Sequence, residues 1–240
     1  MLPCYGGLME LIANMLNAVP DLRCEEAVAA WAELEARHIA AFDFNSAHME
    51  SVASISPGDD ANSSLGLDPV FLNCFVLGLL AADWACYPDP ANREAYPHLH
   101  HAVTVFPKGF RLWTANAGSR ILPIGYSAFH PISPATFALL RDAPHTITSR
   151  RQITPQPPTS SGEPYLYLYN IGILPRFRRT EASRALMRAF REDLAATAHR
   201  GLAAIVVSPD GKRVIERFGL RPSGVITHDG HVELAYVSDQ

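Results

Sequence analysis

Residues 165–199 constrain the fold of this chain more than any other stretch. Tyr165-Leu166-Tyr167-Leu168-Tyr169 is aromatic and strand-like, and the strand reading extends to Ile173. The segment Ile173-Leu174-Pro175-Arg176-Phe177-Arg178-Arg179-Thr180-Glu181-Ala182-Ser183-Arg184 then leads into a helical pattern over Thr180–His199. Leu186, Met187, Phe190 and Leu194 form its apolar stripe. A strand that feeds a helix through a short turn leaves the first helical N–H groups without partners, and with the helix dipole they make an anion site. Arg176, Arg178, Arg179 and Arg184 crowd this helix start. The dipole disfavours cations there by about 0.3–1 kcal/mol each. Two readings account for them: a negative group such as a phosphate in the turn, or a solvated arginine face turned outward.

The rest of the last third is equally patterned. Gly201 stands where a helix stop is expected, and Leu202–Val207 reads as a short strand buried on both faces. Gly211–Phe218 is a short helix ended by Gly219. Pro222–Thr227 and His231–Val237 are strands joined by the hairpin signal His228-Asp229-Gly230. Upstream, residues 6–19 and 24–42 carry helical periodicity. In the second of these Ala27, Val28, Trp31, Leu34 and Ile39 share a face, with Glu33 and Arg37 opposite. Residues 51–66 read as a loop or linker. A helix is expected over 69–86, opened by Asp68-Pro69. Ala102–Phe106 and Phe110–Ala115 read as strands, Asn116-Ala117-Gly118-Ser119 as a turn, and Arg120–Phe129 as the partner strand. Pro134–Arg141 is a short helix and Thr146–Pro164 a proline-rich loop.

Composition narrows the function. With 240 residues, the chain suits one large domain or a domain with an extension. A net charge of −4 argues against general nucleic-acid binding, which needs a basic surface. No secretory signal is visible. The apolar run from Cys74 to Ala82 ends at Asp83 and is too short to span a bilayer, so a buried helix is expected. Cys4, Cys24, Cys74 and Cys86 lack metal-type spacing and read as reduced thiols of a cytoplasmic protein. His98, His100 and His101 invite a metal reading, with i,i+2 pairs on a strand, but no matched carboxylate or cysteine set accompanies them, and no metal is expected.

The final third resembles the GNAT superfamily of N-acetyltransferases. That family's hallmark is a strand ending in Val-x-Pro, then x-Tyr-Arg-Gly-x-Gly-x-Gly opening a long helix. Ile173-Leu174-Pro175 is similar to the first part, and Phe177-Arg178-Arg179-Thr180-Glu181-Ala182-Ser183 lies over the second. Arg217-Phe218-Gly219-Leu220 loosely meets the family's Lys-x-Gly-Phe segment, and the hairpin at 110–129 supplies its earlier strands. The resemblance covers about residues 102–238. It implies an α/β fold with a mixed, mostly antiparallel central sheet flanked by helices. Residues 102–240 would form the acyltransferase core and 1–101 a helical N-terminal region. All three motif glycines are replaced, by Arg179, Glu181 and Ser183. Glycine there lets backbone approach the pyrophosphate of coenzyme A. Glu181 is the serious departure, since a carboxylate beside a pyrophosphate is repulsive unless it points away.

The resemblance implies acyl transfer to the amine of a small molecule or aminoacyl compound, with acetyl-CoA or another acyl-CoA as donor. The donor would contact Ile171, Ile173, Arg178, Arg179, Thr180, Glu181, Ala182, Ser183 and Ser208. Ile173 N–H is the candidate for polarising the thioester carbonyl. The family's tyrosine acid falls at Ile215, which has no proton to give. Ser208 either contacts the pantetheine arm or caps the helix that follows. Tyr169, Tyr167 and His130 are the candidate bases. For the tyrosines the alternative is packing, and for His130 exposure at a strand end. Some relatives of this fold take acyl groups from acyl carrier protein, which the arginine-rich entrance would suit, so a long-chain N-acyltransferase using acyl-CoA or acyl carrier protein is the second reading. A non-catalytic, acyl-CoA-binding member of the fold is the third reading. The N-terminal hundred residues, with Trp31 and Trp84, would wall a larger acceptor pocket, form a homodimer surface, or extend the core.

Overall fold

The structure, a computed structural model, describes residues 22–44, 49–57, 69–117, 120–157, 162–228 and 231–238. The helix expected over 6–19, Cys4 and the turn residues Gly118, Ser119, Asp229 and Gly230 lie outside these. Helix α1 is Glu25–Ala41, strand β1 Met49–Ile55, helix α2 Pro69–Cys86 and helix α3 Tyr96–Val105. Strands β2 (Phe110–Ala117) and β3 (Arg120–Ile132) precede helix α4 (Pro134–Asp142). Strand β4 (Tyr165–Ile173), helix α5 (Glu181–Ala195), strand β5 (Gly201–Val206), helix α6 (Pro209–Arg217), strand β6 (Leu220–His228) and strand β7 (His231–Ser238) complete the chain. The seven strands are ordered β1-β2-β3-β4-β5-β7-β6, a mixed sheet in which β4 and β5 are parallel and the pairs β1–β2, β5–β7 and β6–β7 antiparallel.

The chain divides into two compact units, residues 1–127 with 172–189 and residues 128–171 with 190–240. In the first, α2 is the central element. Twelve of its residues are buried, and α1 and α3 pack on it. By length and composition alone α2 could cross a bilayer. Its last turn is tied into the protein: Asp83, 1% exposed, accepts hydrogen bonds from Tyr126 Oη at 2.8 Å and Glu94 N–H at 2.8 Å. A satisfied buried carboxylate ties a helix into a protein core. On α1, Val28, Trp31, Ala32, Ala36 and Ile39 are buried, whereas Leu34 is 52% exposed, one position off the expected face.

In the second unit one face of the sheet carries a contiguous core. Ile132, Phe137, Leu140, Ile147, Ile153, Tyr165, Tyr167, Ala203, Ile226 and Ala235 pack together, with Tyr169, Ile205 and Val237 against them. The proline-rich stretch after α4 supplies part of that cover through short 3-10 turns at Pro144–Thr146 and Arg150–Gln152.

Three local expectations are corrected. Residues 51–55, read as loop, are strand, because β1 borrows its order from pairing with β2 (Val52↔Ala115, Ile55↔Leu112) and not from its own apolar content. Residues 102–105, read as strand, are the last turn of α3, where Pro97 in the first turn starts the helix and Leu99, Ala102 and Val103 make its buried stripe. The histidines therefore sit on a helix. His98 pairs with Glu94 at 3.0 Å, His100 stacks on Tyr96 at 5.6 Å between centroids, and His101 is exposed. Among the described residues no group of three His, Cys, Asp or Glu could hold a metal.

Candidate active site at the end of β4

Helix α5 begins at Glu181, after the 3-10 turn Pro175–Phe177. Thr180 turns its hydroxyl back to the Phe177 carbonyl at 2.6 Å, and its own carbonyl accepts from Arg184 N–H at 3.2 Å and from Ser183 Oγ at 2.9 Å. The N–H groups of Glu181, Ala182 and Ser183 thus have no helical acceptor, as geometry requires of a first turn. Arg179 has φ 63°, the left-handed conformation that an L side chain adopts at a cost of about 1–2 kcal/mol. The resemblance puts the first motif glycine at this position, and the backbone here has the left-handed conformation that favours glycine.

The four arginines divide. Arg176 is structural: its guanidinium donates to the carbonyls of Phe42 and Ala40 (2.6 Å to the latter) beyond and within the last turn of α1, and lies 4.9 Å from the Phe44 ring centroid. A cation on these carbonyls suits the dipole. Phe177, 5% exposed, meets Phe44 edge-on at 5.0 Å, so the turn is fastened to the α1 end by two contacts. Arg184 Nε donates to Glu181 Oε2 at 2.8 Å, and Arg188 reaches Oε1 at 3.4 Å. Glu181 is thereby drawn along the helix toward its following turns. The hydrogen bond from Arg184 and its charge, with Arg188 behind, hold the carboxyl below the ordinary glutamate range. Arg178 and Arg179 remain exposed at the turn, with Arg178 Nε 3.5 Å from the Ile173 carbonyl.

Strand β4 carries the second feature. Its pairing with β5 runs from Tyr165↔Gly201 to Leu168↔Ala204, yet β4 continues to Ile173 and β5 to Val206. Leu174 N–H donates to the Ile124 carbonyl at 2.8 Å, on the β3 side. Backbone N–H directions alternate along a strand. Ile173 and Ile171 therefore point theirs away from β3, and at Ile171 that is the edge where β5 no longer pairs. Gly125 of β3 lies against this end: a Cβ there would sit 2.4 Å from the Gly172 oxygen and 2.8 Å from Ile173 Cα.

Within the second unit, His130 is 0% exposed, a correction to the expected exposure, because β3 runs on to Ile132. Its ring lies 5.4 Å from Tyr167 and 5.5 Å from Tyr169, and Nδ1 is 3.2 Å from the Pro131 carbonyl. Tyr167 is 4% exposed and packs in the core, while Tyr169 is half-buried. The structure thus joins His130 and Tyr169, two residues 39 positions apart that sequence reasoning named separately. Ser208 Oγ accepts from Gly211 N–H at 3.0 Å and caps α6. Ile215 is buried on α6. Burial pushes the Cys86 thiol far up, so it is no thiolate nucleophile.

Sequence reasoning missed Glu233 and Arg150. Glu233, 4% exposed on β7, pairs with Arg150 at 3.6 Å. The signal was available in Glu233 standing at an inward position of an alternating strand.

No protein-family model matches the sequence, and no curated protein matches it significantly. Solved structures do match the fold. The loading GNATL domain of CurA from Lyngbya majuscula is 13% identical with a TM-score of 0.53, covering 79% of this chain and 98% of that one. A chain of the NatC complex, in a structure bound to Gag peptide and CoA, is 8% identical with a TM-score of 0.51, covering 79% of this chain and 99% of that one. The mixed sheet, the pairing that ends midway along β4, and the turn into α5 give this chain the GNAT fold.

Proposed function

We propose that the protein is an N-acyltransferase that moves an acetyl or other acyl group from coenzyme A to the amine of a small molecule or aminoacyl compound. One observation carries this reading: β4 loses its β5 partner after Leu168 and then enters a helix start whose first N–H groups have no helical acceptor. The CoA in the NatC structure of similar fold supports the choice of donor.

In such a transfer the amine nitrogen attacks the thioester carbonyl carbon, a C–N bond forms, the C–S bond breaks, and sulfur leaves as thiolate. The amine gives up its proton to a base or to solvent. Ile173 N–H, and Ile171 N–H before it, point away from β3 and serve the developing oxyanion. The N–H groups of Glu181, Ala182 and Ser183, with Arg178, Arg179 and Thr180, take the pyrophosphate. Glu181 does not oppose it, because its carboxylate is spent on Arg184 and Arg188. Ser208 caps α6 as an acceptor and keeps its O–H to donate to the pantetheine arm. Tyr169, with His130 behind it, is the candidate proton acceptor. Ile215 cannot protonate the leaving sulfur, so thiolate departs without help from that position.

A second reading keeps the reaction and changes the donor. Arg178 and Arg179 stay exposed at the turn, and a phosphopantetheine arm on an acidic acyl carrier protein would meet them there. Among the described residues Cys24, Cys74 and Cys86 form no disulfide, which suits a reducing, cytoplasmic setting. The test is amine-dependent thiol release from acetyl-CoA, a long-chain acyl-CoA and acyl carrier protein thioesters, with the amide identified by mass spectrometry. Release from one donor class supports the reading and selects the donor. No release from any of them with a broad amine panel defeats it.

A further inference from the structure

Glu233 is a buried carboxylate that the fold does not fully use. Its Oε1 lies 3.6 Å from Arg150 Nε, an ion pair too long for a hydrogen bond. Its Oε2 is buried and accepts no hydrogen bond from any described residue. A charged acceptor left in this state in a core is costly unless something else uses it.

The strand registers say where that oxygen stands. Leu234 pairs with Val206, the last residue of β5, so Glu233 lies one residue past the end of β5. Because β4 and β5 are parallel, this is the end toward which β4 runs on unpaired. The face follows from alternation. Ala235 and Val237 share Glu233's side of β7 and pack with Tyr165, Tyr167 and Tyr169, while Ile226, the cross-strand partner of Glu233, belongs to the same cluster. Glu233, Tyr169 and His130 thus occupy one face of the sheet, in one unit, at or toward the end where pairing has stopped.

We infer that Glu233 is the specificity residue for the acceptor, binding it as a primary ammonium ion. This rests on the acyltransferase reading and adds the charge state and the anchor of the substrate. A carboxylate is an acceptor-only group, which takes N–H donors and offers nothing to an uncharged ether or carbonyl. Arg150 sets a positive charge 3.6 Å from Oε1, and Oε2 is left to the ligand. Glu233 does not touch the reacting carbonyl in this scheme. It holds the amine as ammonium, and the proton is removed nearer Tyr169.

The experiment compares hexylammonium with its uncharged match, hexanol, by calorimetry on the full chain near neutral pH, with and without CoA. The wild type is expected to bind the ammonium about tenfold tighter, the effect of one charge-assisted hydrogen bond. Glu233→Gln is expected to erase that preference and leave CoA affinity unchanged. Glu233→Asp, which keeps the charge, is expected to retain it. Equal binding of the two probes by the wild type overturns the inference with no variant needed. A folded Glu233→Gln that still prefers the ammonium overturns it as well. Failure of the wild type to bind CoA is a separate result, which counts against the acyltransferase reading and not against the ammonium site.

Discussion

Gly125→Ala is the sharpest perturbation of the candidate donor site. The added methyl would sit 2.4 Å from the Gly172 carbonyl oxygen and 2.8 Å from Ile173 Cα. Both are backbone atoms, so no rotamer change relieves the overlap, and β3 and β4 must separate. Overpacking of this kind costs about 1–3 kcal/mol. The neighbouring bond from Leu174 N–H to Ile124 O would stretch with it, adding about 0.5–1.5 kcal/mol. A total near 3 kcal/mol lowers the melting temperature by about 6–12 °C for a chain of this size. The same movement shifts the Ile173 N–H, so CoA affinity falls in protein that remains folded. Gly78→Ala is the control. Its methyl meets only the Leu112 Cδ2 tip at 2.7 Å, which can swing, and helix propensity gains up to about 1 kcal/mol. The assay is thermal unfolding of both variants with calorimetric CoA binding. If Gly125→Ala melts with the wild type and binds CoA equally well, the close approach of β3 to the end of β4 has no consequence and the reasoning fails.

Other expectations concern the turn and the core. Arg179→Gly should leave stability unchanged or raise it by up to about 1 kcal/mol, since relief of the left-handed penalty outweighs the chain entropy of glycine. Arg179→Val should lower it by about 1–2 kcal/mol, because a β-branched residue tolerates that conformation worst, and chemical denaturation of the pair separates the two. Glu181 titrates below its ordinary value in the folded state, chiefly through Arg184. Its contribution is therefore present above the unfolded pKa and lost as pH falls through the folded one. Unfolding midpoints followed into acid should show a salt-sensitive decline that Glu181→Gln lacks, and identical slopes would refute the pairing. Tyr126→Phe removes a hydrogen bond to buried Asp83 and should cost about 1–3 kcal/mol by urea denaturation.

The parts legible in the sequence are those whose order comes from their own pattern. Strand β4 and helix α2 coincide with the spans read from periodicity, because an apolar, β-rich run and an apolar helix opened by proline declare themselves locally. Strand β1 is different. Met49–Ile55 carries serine and glutamate beside its apolar residues, and pairing with β2 decides its state. The tail of α3 misled for the opposite reason: Ala102–Val105 is β-branched enough to read as strand, but Pro97 and the buried stripe fix a helix. At the turn, sequence could name the glycine positions and flag Glu181. It could not reveal that Arg179 keeps a positive φ or that Glu181 is claimed by Arg184 and Arg188. The joining of His130 to Tyr169 and the placing of Glu233 one residue past the end of β5 are products of register between distant strands.

The central claim is that a coenzyme A-type donor lies along the unpaired end of β4 with its pyrophosphate on the first turn of α5. An amide-resolved NMR titration with CoA tests it most directly. The account predicts saturable changes concentrated at the N–H groups of Ile171, Ile173, Glu181, Ala182 and Ser183, weakened by Arg178→Ala. Absence of binding, or saturable changes confined to residues away from β4 and the α5 turn, would contradict it.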